Sequence, residues 1–407
     1  MPARTRIVYT LALMLAACGG NDAAKAALTD RDAGATPGQD AAADAQSSGT
    51  SDAGSGGAGG SSGHDAGNAG ADAGGDAGGS GGGRVSIFVA QGHKGRLMIS
   101  CDDGRTWTAD RNDDDTVHCF DSSATDCDHD PGAARGLAHG NGYFVATFGW
   151  GLPGHIARSK NGVDWEEFPQ TKTFADLAFG HGLFVANDPT PAISSDGESW
   201  MDGGHTVLSV ANVRAIAFVA KNGGRFVVTG ETGTAHDVVI SKDDGKSWVH
   251  PTTLPAACGA NVTGLTASDD IVLIAQGGGR VCTSADGGDT WKETIASQGF
   301  TSPPVWTGSE FMIWQNATLL RSPDGTTWTS AALTPANVHI GIVAVNAKGT
   351  FVAVNADWNS WYDKQAFYRS EDGVSWDVLP STAFKGGHPI YFMEAGDVEA
   401  SAKCPAP

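Results

Sequence analysis

Two carboxylates, Asp176 and Glu231, are the candidates for catalysis that the sequence offers outside its repeated motif. Carboxylates that face each other across a groove can act as general acid and general base on a glycosidic bond. Arg135, Arg214 and His388 stand, like Asp176, where an apolar segment begins, so we expect them at the same end of a repeated fold and treat them as candidates for ligand binding. Alternatively, these charges have no catalytic task, because any ring of repeated units brings several charged side chains near its axis.

Four tryptophans outside the repeated motif are candidates for carbohydrate binding. They stand in the segments TFGWGLPGH, WQNAT and NADWNSWYDKQAF, which the sequence places in loops at the same end of the fold. An exposed indole face can stack on the apolar face of a sugar ring. The alternative is that each ring only covers its own sheet. The four residues are Trp150, Trp314, Trp358 and Trp361.

The segment 108–132 is rich in aspartate and is the only candidate for a metal site. Asp126, Asp128 and Asp130 alternate along it, and oxygen ligands of this kind suit Ca²⁺. Their spacing does not match an EF-hand loop, and a solvated acidic loop tied by a disulfide explains them equally well. Calcium is therefore one of two interpretations of this loop, and no other cofactor is expected.

The elements that must position these residues carry a repeated motif. A Ser, an Asp or Asn, a Gly and a Trp recur at intervals of about 35 to 60 residues, which is the period of propeller blades. Phrases such as DLAFGHGLFVAN precede most copies and read as strand, tight turn, strand, which predicts blades of four antiparallel strands, A to D. The Asp can accept backbone N–H bonds in the turn between strands C and D, and the Trp can pack one sheet against the next. The seven copies are SCDDGRTW (100–107), SKNGVDW (159–165), SSDGESW (194–200), SKDDGKSW (241–248), SADGGDTW (284–291), SPDGTTW (322–328) and SEDGVSW (370–376).

The two ends of the repeated region predict how the ring closes. The first apolar strand, Val85 to Gln91, reads as a B strand with no A strand before it, and the segment 388–396, HPIYFMEAG, supplies an apolar strand at the other end. Pairing the last strand with the first sheet would remove open sheet edges that invite aggregation. The sequence therefore predicts an all-β fold, a seven-bladed β-propeller closed by its C-terminal strand.

The motif resembles the Asp-box, or bacterial neuraminidase repeat, of sialidase-like propellers, and the resemblance covers nearly all of residues 84–396. It implies that the motif turns lie on the face away from the binding site and are structural. Sialidase activity is not expected, because the chain lacks an Arg-Ile-Pro motif and has Arg84-Val85-Ser86 near its first strand. The aspartates that the resemblance implies to be structural are Asp102, Asp196, Asp243, Asp286, Asp324 and Asp372.

The N-terminal region predicts export and anchoring. Residues 1–17 carry two arginines and a short apolar run, as a secretion signal does, and Leu15-Ala16-Ala17-Cys18 resembles the bacterial lipobox, which implies lipidation of Cys18. Ordinary cleavage with Cys18 as a bystander is the alternative. Residues 18–83 are nearly all Gly, Ala, Ser and Asp and read as a disordered linker, followed by the propeller at 84–407. We expect the protein in the cell envelope, anchored by lipid to the outer membrane or cell surface.

Six cysteines remain in the exported chain, where the compartment favours disulfides. Many pairings are open to six cysteines. We hypothesise that one pair clasps the closed ring and that two tie loops, with unpaired cysteines inside strands as the alternative. The hypothetical pairs are Cys101–Cys404, Cys119–Cys127 and Cys258–Cys282.

The formal net charge of −20 argues against a nucleic-acid partner, since no cluster of Lys and Arg could neutralise phosphates. The sequence favours a monomeric recognition or scaffold propeller that binds a polysaccharide or a surface protein without catalysis. The alternative is a polysaccharide-active enzyme, a glycoside hydrolase or lyase of the sialidase-like class, because the fold by itself does not choose between them.

Overall fold

The computed structural model describes residues 62–63, 84–92, 95–111, 134–149, 154–170, 172–210, 212–232, 234–295, 302–355, 366–383, 390–401 and 404. These residues form strands joined by turns and loops, with a 3₁₀ turn at Lys221–Gly223. Among them no helix is long and apolar enough to cross a membrane. In chain order the strands are β1 (Ser62–Gly63), β2 (Arg84–Gly92), β3 (Leu97–Ser100), β4 (Thr108–Arg111), β5 (Ala134–Gly140), β6 (Tyr143–Phe148), β7 (His155–Ser159), β8 (Glu166–Pro169), β9 (Asp176–Gly180), β10 (Leu183–Asn187), β11 (Ala192–Ser194), β12 (Met201–Asp202), β13 (Asn212–Val219), β14 (Arg225–Thr232), β15 (Ala235–Ser241), β16 (Val262–Ala267), β17 (Val272–Gln276), β18 (Arg280–Ser284), β19 (Lys292–Ile295), β20 (Val305–Trp306), β21 (Phe311–Gln315), β22 (Thr318–Ser322), β23 (Thr329–Ala332), β24 (Ile340–Val345), β25 (Phe351–Asn355), β26 (Phe367–Ser370), β27 (Trp376–Val378) and β28 (Ile390–Glu399).

The strands form seven small antiparallel sheets, so the predicted seven-bladed β-propeller is confirmed. Blade 1 has the order β28-β2-β3-β4, blade 2 is β5 to β8, blade 3 is β9 to β12 and blade 4 is β13 to β15. Blades 5, 6 and 7 are β16 to β19, β20 to β23 and β24 to β27, and β1 pairs in parallel with β16. In blade 4 the outer edge is continued by the single bridge between Ile240 and Val249.

Blade 1 is built from both ends of the propeller, as predicted. β28 pairs antiparallel with β2 from Arg84 opposite Glu399 to Gly92 opposite Ile390. The described part of the closing strand, Ile390–Glu399, extends slightly beyond the end of the predicted 388–396. Pairing the two ends satisfies the edge of β2 that would otherwise be open. A disulfide between Cys101 and Cys404 also joins the ends, and a second joins Cys258 to Cys282, so two of the three hypothetical pairs are present. Cys119 and Cys127 lie outside the described residues.

The repeated turn has similar hydrogen bonds from blade to blade, and blade 4 shows the full pattern; in blade 1 the Trp107 indole N–H has no partner among the described residues. Ser241 Oγ donates to Asp243 Oδ1 at 3.0 Å, and the same oxygen accepts the Ser247 N–H at 2.8 Å. Gly245 has φ of 83°, where a side chain is strained, and its carbonyl accepts the Trp248 indole N–H at 3.2 Å. The motif aspartates are thus held by their own turns. The Ser-to-Asp bond recurs at Asp102, Asp196, Asp286, Asp324 and Asp372, and at Asn161 in blade 2.

A second residue position repeats in every blade, and it is defined by the pairing of strands B and C. In every blade the motif Ser pairs across to an apolar residue of strand B. Each of these residues is buried between neighbouring blades, where burial of apolar surface stabilises the ring. They are Phe88, Phe144, Phe184, Phe226, Val272, Phe311 and Phe351.

Candidate functional site at the axial mouth

Four of the predicted site residues come together where the innermost strands begin. Arg135 is in β5, Asp176 opens β9 and Arg214 is near the start of β13, so they come from the neighbouring blades 2, 3 and 4. Glu231, near the end of β14, pairs across to Asn212 in β13. The motif turns come directly after the C strands, at the other end of the sheets from these four residues. We call Arg135, Asp176, Arg214 and Glu231 the mouth.

Asp176 is a buried interblade anchor. The residue is only 1% exposed. Oδ1 accepts the N–H of Leu177 at 2.8 Å, and Oδ2 accepts the N–H of Ile216 in blade 4 at 3.2 Å. Burial raises the pKa of this carboxyl well above its ordinary value, although the two backbone bonds and Arg135 act in the opposite direction. Both oxygens are thus engaged, and the bond to Oδ2 joins blade 3 to blade 4.

Arg135 links blade 2 to the loop before β9, because its Nε donates to the Phe174 carbonyl at 2.9 Å. Burial, together with the like charge of Arg214, lowers its pKa to about 10, and Asp176 partly opposes this shift. The guanidinium still carries its charge at neutral pH. The mouth therefore brings two cationic groups from blades 2 and 4 to either side of a buried carboxyl.

Arg214 and Glu231 form an ion pair within blade 4. Arg214 Nε lies 3.3 Å from Glu231 Oε1, and the two side chains are 19% and 17% exposed. Both groups are therefore at the surface of the mouth but shielded from bulk water. Glu231 pairs directly with His236, so β14 and β15 form a tight hairpin and Glu231 lies in a strand, not in a long loop.

Asn187 was missed by the sequence analysis. It pairs across to Asp176 at the end of β10 and is fully buried. Within the part of the chain that the structure describes, its amide Nδ2 and Oδ1 have no hydrogen-bond partner. Since buried polar groups are nearly always paired, the amide needs a partner such as a water molecule. The only sequence signal was a polar residue at the end of an otherwise apolar strand.

Asp237 and His250 form a second polar group at the same end of blade 4. Asp237 Oδ2 accepts the Ser209 N–H at 2.7 Å and lies 2.9 Å from His250 Nε2. Burial opposes ionisation of Asp237, but these bonds lower its pKa overall. The carboxylate ties the loop before β13 to blade 4. No group of three or more His, Cys, Asp or Glu side chains able to hold a metal occurs among the described residues.

Trp314 requires a correction. It lies inside β21, not in a loop, because the turn after this strand occupies only Asn316 and Ala317. The ring is fully buried between blades 6 and 7, and its Nε1 donates to the Gly373 carbonyl at 2.8 Å. It cannot stack on a ligand from this position. The remaining predicted residues lie outside the described ones: Trp150, Trp358, Trp361, His388, Cys18, Asp126, Asp128 and Asp130.

The mouth can bind more readily than it can catalyse. A general acid and a general base must both reach the substrate. Asp176 is enclosed, and Glu231 is paired with Arg214. The guanidinium groups of Arg135 and Arg214 can instead attract and hydrogen-bond an anionic or hydroxyl-rich ligand.

Comparison with known proteins finds solved structures with a similar fold. No protein-family model and no curated protein matches the sequence. Among solved structures, apo AztD from Citrobacter koseri has a TM-score of 0.50 at 10% identity, over 78% of this chain and 99% of that one. YCF48 from Cyanidioschyzon merolae gives 0.46 at 12% identity over 63% and 93%, and virginiamycin B lyase from Staphylococcus aureus gives 0.45 at 11% over 61% and 84%. At such identities the likeness concerns the fold alone, and the chain is a seven-bladed β-propeller.

Proposed function

We propose that this protein is a non-catalytic recognition propeller that binds a polysaccharide or a surface protein at its axial mouth. The observation that carries the proposal is the state of the two candidate catalytic carboxylates. Asp176 accepts two backbone N–H bonds in a buried seam, and Glu231 is paired with Arg214. These contacts hold Arg135 and Arg214 in place at the mouth, where their guanidinium groups can contact a ligand while they keep these partners.

The proposal includes the surroundings of the mouth and the anchoring of the chain. We propose Trp150, Trp358, Trp361 and His388 as further ligand contacts. The propeller belongs, in this proposal, to the Asp-box class and is carried on a flexible linker from a lipidated Cys18 at the outer membrane or cell surface. A lipid chain contributes about 0.8 kcal/mol per buried CH₂, so anchoring requires no membrane-spanning segment.

A polysaccharide-active enzyme is the second candidate, and one observation favours it. The raised pKa of Asp176 is what a general acid needs near neutral pH. In that case sugar release would have a bell-shaped pH dependence and would be nearly abolished in Asp176→Asn or Glu231→Gln.

The test combines binding and turnover on the full chain. Arrays of glycans and of peptides are probed with the wild type and with Arg214→Ala. Lys348→Ala serves as the control, because it removes an exposed cation from a turn between strands A and B, on the face of the propeller opposite the mouth. We expect ligand binding to weaken at least tenfold in Arg214→Ala and to be unchanged in Lys348→Ala. Reducing-end release that disappears in Asp176→Asn would establish the enzyme instead, and equal binding by all three proteins would exclude the mouth as the site.

A further inference from the structure

His139 occupies a repeated structural position at the junction where the ring closes. It pairs across to Phe144, just as Phe179 pairs with Phe184 and Phe218 with Phe226. The rings of residues 139, 179 and 218 each cover a glycine in the innermost strand of the preceding blade. Blade 2 therefore has an imidazole where blades 3 and 4 have a phenyl ring.

The glycine under His139 belongs to the closing strand β28. A Cβ on Gly396 would lie 2.4 Å from the imidazole ring, so no side chain fits between them. Corresponding close approaches occur between Gly140 and Phe179 and between Gly180 and Phe218. His139 thus seals the closing strand against blade 2 by direct ring-to-backbone contact.

The imidazole is held as a neutral ring. Its Nε2 lies 3.0 Å from the Asp397 carbonyl oxygen, which can only accept, so this nitrogen carries the proton and donates. The imidazole also contacts the Phe144 ring, with the centroids 4.7 Å apart and the rings tilted by 51°. Burial lowers the pKa of His139 to about 4; the bond to Asp397 opposes the shift, and the charge of Arg84 adds to it.

Charged groups surround the ring on the elements packed against it. Arg84 on β2 donates to the Asp397 carbonyl at 2.7 Å, so it competes for the oxygen that His139 contacts. The Asp397 carboxylate favours a protonated ring but does not outweigh burial and Arg84. Next along the chain, the Glu399 N–H donates to the Lys160 carbonyl at 3.2 Å and ties the end of β28 to blade 2.

The chain continues from β28 directly to the disulfide Cys101–Cys404. β28 ends at Glu399, the Ser401 N–H donates to the Cys404 carbonyl at 2.8 Å, and the buried Cys404 is bonded to Cys101. Val163 and Trp165 of blade 2 pack in the same cluster as Cys101 and Cys404, so separation of the end of β28 from blade 2 would expose the disulfide. Accessibility of Cys101–Cys404 therefore reports on this contact.

We propose that the contact of His139 with Gly396 and Asp397 is an acid-sensitive latch, in which protonation of the imidazole loosens the end of the closing strand from blade 2. At neutral pH the ring is uncharged in both the closed and the open states. As the pH falls below about 6.5 the exposed ring of the open state takes up a proton first, so acid favours opening until the closed state also protonates near 4. Between pH 7 and pH 4.5 this linkage increases the open fraction by up to about 60-fold.

The experiment measures how fast a phosphine reductant cleaves each disulfide in the full chain at pH 7 and pH 4.5. Cys258–Cys282, between blades 4 and 5, is the internal control for reagent reactivity and for global unfolding. We expect the reduction rate of Cys101–Cys404, divided by that of Cys258–Cys282, to rise at least tenfold at pH 4.5. His139→Phe, which copies blades 3 and 4, should abolish the rise, whereas removal of the exposed imidazole in His205→Phe should leave it intact.

Several results would overturn the latch. Equal acceleration of both disulfides would show global acid unfolding, and acceleration that persists in His139→Phe would place the sensitivity elsewhere. A rate ratio that does not change with pH would show that no opening occurs. An NMR titration of the wild type keeps the latch testable even if His139→Phe fails to fold, because a His139 pKa of 6 or above contradicts the proposal.

Discussion

Replacement of Trp248 by alanine tests the structural role of the repeated turn. Trp248 is 4% exposed and packs between blades 3 and 4 with Val185, Ile193 and Phe226. An aromatic side chain of this kind buries about 150–250 Å², and truncation of a buried Trp costs about 3–5 kcal/mol. The entropy of unfolding of a domain of about 300 residues is roughly 0.6 kcal/mol/K, so we expect the Tm to fall by about 5–8 °C.

The assay is thermal unfolding followed by circular dichroism, with Met201→Ala as the control. Like Trp248, Met201 is a large apolar residue, and it directly follows the Trp of the motif in blade 3. It is 65% exposed, so its truncation should change the Tm by less than about 1 °C. Trp248→Phe should fall between the two, because it keeps part of the packing and loses the bond to the Gly245 carbonyl. If Trp248→Ala and Met201→Ala melted together, the turn would not hold the blades as we argue.

Three further changes have defined outcomes. Gly180→Ala should lower the free energy of unfolding, measured by denaturant titration, by about 1–3 kcal/mol, because the new Cβ would lie 1.9 Å from the Phe218 ring. The control is Gly277→Ala, whose Cβ meets nothing closer than 3.5 Å and which should cost less than about 1 kcal/mol. Burial raises the pKa of Asp243, but hydrogen bonds from Ser247 and Ser241 outweigh it and lower the pKa below its usual range. The carboxylate therefore contributes fully to stability above about pH 4, and this contribution is lost as the pH falls further. Asp243→Asn should flatten that part of the curve of Tm against pH. Cys18→Ser should release the protein from the membrane fraction or leave it as precursor, and palmitate labelling of this variant would contradict the lipobox interpretation.

The number of blades and the closure of the ring could be predicted from the sequence because both are written in local patterns. Each blade carries its own copy of the turn motif, and the motif's hydrogen bonds lie almost entirely within a few residues, as those of Ser241, Asp243 and Trp248 show. The missing first strand and the apolar strand after residue 388 then leave one way to complete blade 1. The two observed disulfides follow from the same placement of strands and turns.

The arrangement of the candidate site depended on contacts between blades that no local pattern records. Trp314 and Asn187 both stand near the end of a B strand, and strand periodicity alone does not tell whether such a residue meets solvent or the neighbouring sheet. The structure buries both and sets Asn187 opposite Asp176. His139 likewise gains its contact with Gly396 only when residues far apart in the chain pair around the ring, because burial, and the pKa shift it causes, is a property of the packed interface.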